Sequence, residues 1–168
     1  MIGLDPGLFG AIAVVSEPWQ KWRVDRLTQW DARKSVATRK QVVEIIRAAL
    51  QGLSLNNTLV IMEDVHAMPN QGVSSVHGFG LANGALQMFM QDNGAKLVFL
   101  SPAQWKRGLA LPADKHASIE LAKIWKPDQK WLMKHHNMAE AMLITIYYRT
   151  VLATKAYDMQ MKRLSPWR

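Results

Sequence analysis

MIGLDPGLFGAIAVVS, residues 1–16, holds two short apolar runs on either side of a Pro-Gly turn. Residues 1–5 read as a first strand and 9–16 as a second that folds back on it. The first run closes on a carboxylate, Asp5. An Asp-Pro-Gly sequence is ordinary turn chemistry, so Asp5 can be a plain turn residue. The other reading is a ligand for a metal or a phosphate at the end of a strand.

The stretch WQKWRVDRLTQW (19–30) alternates loosely through Trp19, Trp22 and Val24, as a third strand or hairpin arm would. Residues 38–51 carry Val42, Val43, Ile45, Ile46, Ala49 and Leu50 at helical spacing, with Thr38 as cap and Gly52 as stop. TLVIMED (58–64) is a short apolar run ending in acids, suited to a strand buried on both faces. A Gly/Pro/Asn-rich loop follows, then a helix at about 75–91 and a second buried strand, KLVFL (96–100). Ser101-Pro102 is a good cap and first-turn pair for a short helix, PAQWKRG. DKHASIELAKIW is a further helix, and the last runs from about 137 to 155. Three strands in a meander, then helices alternating with strands, give a mixed α/β sheet with parallel late strands joined by crossovers. Sites in such sheets lie at the carboxyl ends of strands.

The 168 residues suit one domain with a proper core. With 49% apolar residues, seven Trp and ten Met, disorder is not expected. The absence of Cys excludes disulfides and thiolate zinc sites. No apolar stretch reaches the roughly 18 residues of a spanning helix, and no signal segment leads the chain. The expectation is a cytoplasmic protein with no membrane partner. Its net charge of +8, scattered along the chain, points to a polyanionic partner such as nucleic acid.

Three acids carry the chemistry. If strands 1 and 4 are parallel neighbours, Asp5 and Glu63 project at the same edge. Side by side they repel, and either alone is costly to bury. A divalent cation relieves both costs, and Mg²⁺ takes carboxylates with water and phosphate. Two such ions about 4 Å apart can activate a water and steady a leaving oxygen. The competing reading of Glu63 is a solvated strand end. Glu140 heads a helical stripe with Leu143, Ile144, Tyr147 and Val151, with His136 and Asn137 one turn before it. Asn137-Met138-Ala139-Glu140 also fits a capping box, with Asn137 as cap.

IGLDPGLFG, IMEDV and HNMAEAMLI, in that order and spacing, resemble the RuvC group of the RNase H-like superfamily, and most of all its phage-encoded Holliday junction resolvases. The likeness spans roughly residues 1–148. It implies an RNase H-like mixed sheet flanked by helices, over residues 1–154; residues 155–168 read as a basic C-terminal extension, either touching DNA backbone or a frayed terminus. It further implies a homodimer acting in the bacterial host cytoplasm, two Mg²⁺ or Mn²⁺ ions per site, and paired nicks in four-way DNA junctions. By position, Asp5 and Glu63 match the first two metal ligands and Glu140 the last acid. The family's helix places a further ligand, Asp or His, just before that acid. Here Lys134-His135-His136-Asn137 has no acid. Either His136, with Asn137, serves as a neutral ligand, or the chain is a weakened, junction-binding member.

Lys106 and Lys115 match positions of the family's active-site lysines, and a lysine beside a scissile phosphate can stabilise developing charge. With Arg107 they form the basic part of the expected DNA surface. The loop HAMPNQGVSSVHGFG adds His66, Met68, Gln71, Ser74 and Ser75 as candidate DNA contacts. The family probes the crossover here with an aromatic wedge, a role left to His66 or Met68. A loop that merely connects strand to helix is the other reading. The Gly/Ala-rich helix VHGFGLANGALQMFM suits close packing, across a dimer or within the chain. D-P-G-x-x-G also resembles the phosphate hairpin of actin-like ATPases, but these need two domains, and 168 residues are too few.

Overall fold

The computed structural model describes residues 1–6, 10–16, 21–26, 44, 47–48, 50–67, 69–112, 114–126, 135–152 and 154–155. Five strands form one sheet: β1 (Ile2–Asp5), β2 (Ala11–Val15), β3 (Trp22–Arg26), β4 (Leu59–Glu63) and β5 (Lys96–Leu100), in the order β3-β2-β1-β4-β5. β1, β2 and β3 are antiparallel neighbours; β1 with β4, and β4 with β5, run parallel. This is the expected meander with parallel additions, a mixed α/β sheet flanked by helices. Most of the helix expected at 38–51 lies outside the described residues. Glu44, Arg47 and Ala48 are helical, and Leu50 is buried.

The sheet is covered on both faces, and the two-residue period of a strand decides which side chain goes where. Ile2, Leu4, Ile12, Val60 and Met62 face one core, with Leu86 and Met90 of α1 (Val73–Asp92). Ala11, Ala13 and Ile61 face the other. By the same alternation Gly3, Asp5 and Glu63 fall on that second face. There lie α2 (Pro102–Gly108), α3 (Lys115–Trp125) and α4 (His136–Tyr147). Ser101 caps α2, accepting from the Gln104 N–H, and Asp114 caps α3, accepting from the His116 N–H. Both are ordinary short-side-chain caps.

Helix α4 departs from expectation. Every residue from Met138 to Tyr147 is buried, not one stripe. The helix packs on β1 and β2 with one side and on α3 with another, and a helix apolar all round belongs in such a position. Its close seat on β1 depends on Gly3, where a Cβ would run into the Ala141 carbonyl oxygen and the Thr145 hydroxyl. The α-helix runs to Tyr147, passes into a π-helical turn, Tyr148–Leu152, and the described residues are α-helical again at 154–155, near the expected end. Thr150 there donates its hydroxyl to the Ile146 carbonyl, a side-chain bond that competes with the regular ladder. Residues 156–168 of the expected basic extension lie outside the described residues. No helix among the described residues is long and apolar enough to cross a membrane.

Candidate active site

Asp5 ends β1 and Glu63 ends β4. The parallel register pairs Gly3 with Ile61 and Leu4 with Met62, so its next step sets Asp5 level with Glu63. Glu140 comes from the second turn of α4, which lies over β1. All three carboxylates are buried, at 4%, 7% and 7% exposure. Neither Asp5 as a surface turn residue nor Glu63 as a solvated strand end survives these values.

Each acid has a named partner. The Trp105 indole N–H donates to Glu63 Oε1 at 2.8 Å. Lys106 Nζ lies 2.8 Å from Glu140 Oε1, and Ser118 Oγ donates to the same oxygen at 3.1 Å. Asn137 Nδ2 donates to Asp5 Oδ2 at 3.0 Å. This last bond overturns the capping-box reading. The residue capping α4 is His135, and Asn137 sits inside the helix with its amide turned to the sheet.

Burial, followed by the charge of Asp5, pushes the Glu63 carboxyl from 4.5 up to about 7. Glu140 adds to the rise, while the Trp105 hydrogen bond and the Lys106 ammonium oppose it. Burial lowers the pKa of His136, helped by Lys115, Lys106 and His135 and opposed by Glu140. A neutral imidazole keeps a lone pair for a ligand.

The donor set fits a hard divalent cation in its chemistry: carboxylate oxygens, an amide carbonyl and an imidazole. A Glu63 pKa raised first by burial and then by Asp5 and Glu140 is the behaviour of a buried carboxylate cluster. Among the described residues, no three acidic or imidazole groups already stand as one ion's ligands.

No protein-family model matches the chain, and no curated protein does. Solved structures do. Thermus thermophilus RuvC superposes with a TM-score of 0.60 at 17% identity, covering 89% of this chain and 95% of that one. Thermus thermophilus RuvC in complex with a Holliday junction substrate gives 0.58 at 18%, over 89% and 95%. The yeast mitochondrial Holliday junction resolvase Ydc2 superposes more loosely, at 0.46 and 18%, over 88% and 76%. The chain has the RuvC fold.

On that RuvC fold the structure brings Asp5, Glu63, Glu140, Asn137 and Lys106 together. The charges of Lys115 and His136 interact. Lys115 opens α3 and is exposed, as is Arg107 on α2. His66 and Gln71 are exposed in the segment after β4, with His66 Nε2 3.6 Å from Asp64. Ser74 and Ser75, expected in the loop, lie in the first turn of α1, which starts at Val73. Met68 lies outside the described residues. Sequence reasoning missed Trp105 and Ser118. The one available signal was a hydroxyl, Ser118, beside Ile119 and Ala122 on the buried face of α3.

Proposed function

We propose that the chain is a structure-selective DNA endonuclease that nicks four-way junctions, and other branched DNA, by metal-dependent phosphodiester hydrolysis. The observation that carries this reading is the nearness of three buried carboxylates: Asp5 and Glu63 end the parallel neighbours β1 and β4, and Glu140, one turn after the Asn137 that bonds Asp5, acts on Glu63 with Asp5. Burying so much like charge is costly unless a cation shares the site. The RuvC fold supports the reading, since a structure with that fold holds a Holliday junction substrate.

Asp5, Glu63 and Glu140 would hold Mg²⁺ or Mn²⁺, with His136 and the Asn137 carbonyl as neutral ligands. The bound cations, two in a full site, would generate the attacking hydroxide and stabilise the leaving oxygen. Lys106 and Lys115 supply positive charge for the phosphate. His66, Gln71, Ser74, Ser75 and Arg107, with Met68, form the wider DNA surface. A homodimer would place two such sites on the two strands of a junction. The exposed side of α1, with Val73, Leu81 and Met88, suits the contact.

A second reading is a junction-binding protein that cuts poorly. It is favoured by Asn137, an amide that donates to Asp5 where an acid is expected. One experiment separates the two: a synthetic four-way junction and linear duplex, each incubated with the protein in Mg²⁺, Mn²⁺ or chelator. Symmetric nicks in the junction alone, lost in chelator, are expected. Binding without nicks in either metal favours the second reading, and cleavage of linear duplex at equal rate overturns the selectivity.

A further inference from the structure

Two uncharged donors outside the sheet each hold one oxygen of a buried acid. Trp105 is fully buried on α2, and its indole N–H meets Glu63 Oε1 at 2.8 Å. Indole is a donor only, so the bond has one direction, and the ring is packed in the core with Leu100 and Tyr147. Ser118 is 2% exposed on α3 and donates to Glu140 Oε1 at 3.1 Å. Helix α3 packs along α4, so this serine and its acid are carried by two elements fixed against each other. Among the described residues, each of these bonds, and the Lys106 contact too, goes to Oε1. Among the described residues the second oxygen of each carboxylate stays open to an incoming ligand.

Lys106 is a different kind of partner. It is charged, partly exposed and contacts the same oxygen as Ser118, so a divalent cation at Glu140 competes with it electrostatically. Trp105 and Ser118 carry no charge and need not leave. Partners of this type orient metal ligands, and their loss typically weakens metal affinity about 10- to 100-fold.

We propose that Trp105 and Ser118 are positioning residues that present the Glu63 and Glu140 carboxylates to a divalent cation. The proposal rests on the reading of the site as a metal centre. Trp105→Phe keeps an aromatic ring in the core and removes the N–H; Ser118→Ala removes only the hydroxyl. Titration calorimetry with Mn²⁺ alone, on the full chain without DNA, is the test. Each variant should bind Mn²⁺ about 10-fold more weakly. Junction affinity in chelator should stay unchanged, and nicking should recover as Mn²⁺ is raised. Recovery by metal is a response that a packing defect would not give. If Trp105→Phe fails to fold, Ser118→Ala carries the test. Wild-type affinity in the folded variants overturns the positioning roles alone. A wild-type chain that binds no Mn²⁺ overturns the metal-centre reading, and the positioning roles with it.

Discussion

Asn137 and Asp5, 132 residues apart in the chain, are joined by a hydrogen bond of 3.0 Å from Nδ2 to Oδ2. The bond ties the start of α4 to the end of β1, and so sets the third acid against the first. It also gives a buried carboxylate an N–H partner. A buried charge without a donor would cost several kcal/mol, and this amide offsets part of that cost in the metal-free fold.

Asp5→Asn should therefore leave the fold intact. The new amide oxygen can still accept from Asn137, while the negative charge a cation needs is gone. Nicking should fall by about 1,000-fold, the scale of several kcal/mol of lost charge stabilisation. Junction binding in chelator should not change. Nicking assays with gel-shift binding on one preparation check both halves, and unchanged nicking would sink the assignment of Asp5 as a ligand.

Asn137→Asp should act in the opposite sense. It replaces the donor with a second carboxylate beside Asp5, so the metal-free protein loses a hydrogen bond and gains repulsion. About 1–3 kcal/mol of stability should go in chelator, and Mg²⁺ should restore it. Nicking in Mg²⁺ should rise above wild type. Thermal melting with and without Mg²⁺ reads the first effect; equal melting of variant and wild type in chelator would contradict the contact.

Glu63 predicts a pH dependence of stability. Below pH 4.5 its carboxyl is protonated whether the chain is folded or unfolded, and its burial adds no charge penalty. Between 4.5 and about 7 the folded protein keeps a proton that the unfolded chain releases. Its contribution to stability therefore falls as pH rises through that window. That gap, at about 1.4 kcal/mol per pH unit, gives an upper bound of about 3.5 kcal/mol. In chelator, Glu63→Gln should melt above wild type at pH 8, and the difference should vanish near pH 4. Melting curves that stay parallel across this range would refute it.

Much of this architecture was legible in the sequence because strand periodicity is local. The runs at 2–5, 59–63 and 96–100 declare themselves, and two of them end in acids that proved buried. Glu140 was legible as a carboxylate on an apolar helix. The capping reading of Asn137 failed because a local rule competed with a partner 132 residues away. Trp105 and Ser118 were invisible for the same reason. An indole on a short helix and a serine on an amphipathic one have no sequence mark for the acid they meet. The complete burial of α4 was also under-read, since an apolar stripe and an apolar cylinder differ only in what packs on the far side.

Gly3 tests whether the site depends on the seat of α4. A methyl at this position would collide with the Ala141 carbonyl oxygen, which is backbone and cannot rotate away, and with the Thr145 hydroxyl. The helix must then lift off β1, and Glu140 and Asn137 move with it, away from Asp5 and Glu63. Overpacking of this kind costs about 1–3 kcal/mol, and more where backbone is the obstacle. Gly3→Ala should thus melt lower by at least that amount and bind Mn²⁺ more weakly. Thr145→Ala, which removes one of the two obstacles, should recover only part of the loss when combined with it. Full stability and full Mn²⁺ affinity in Gly3→Ala would show that the close seat of α4 on β1 is not what assembles the acids.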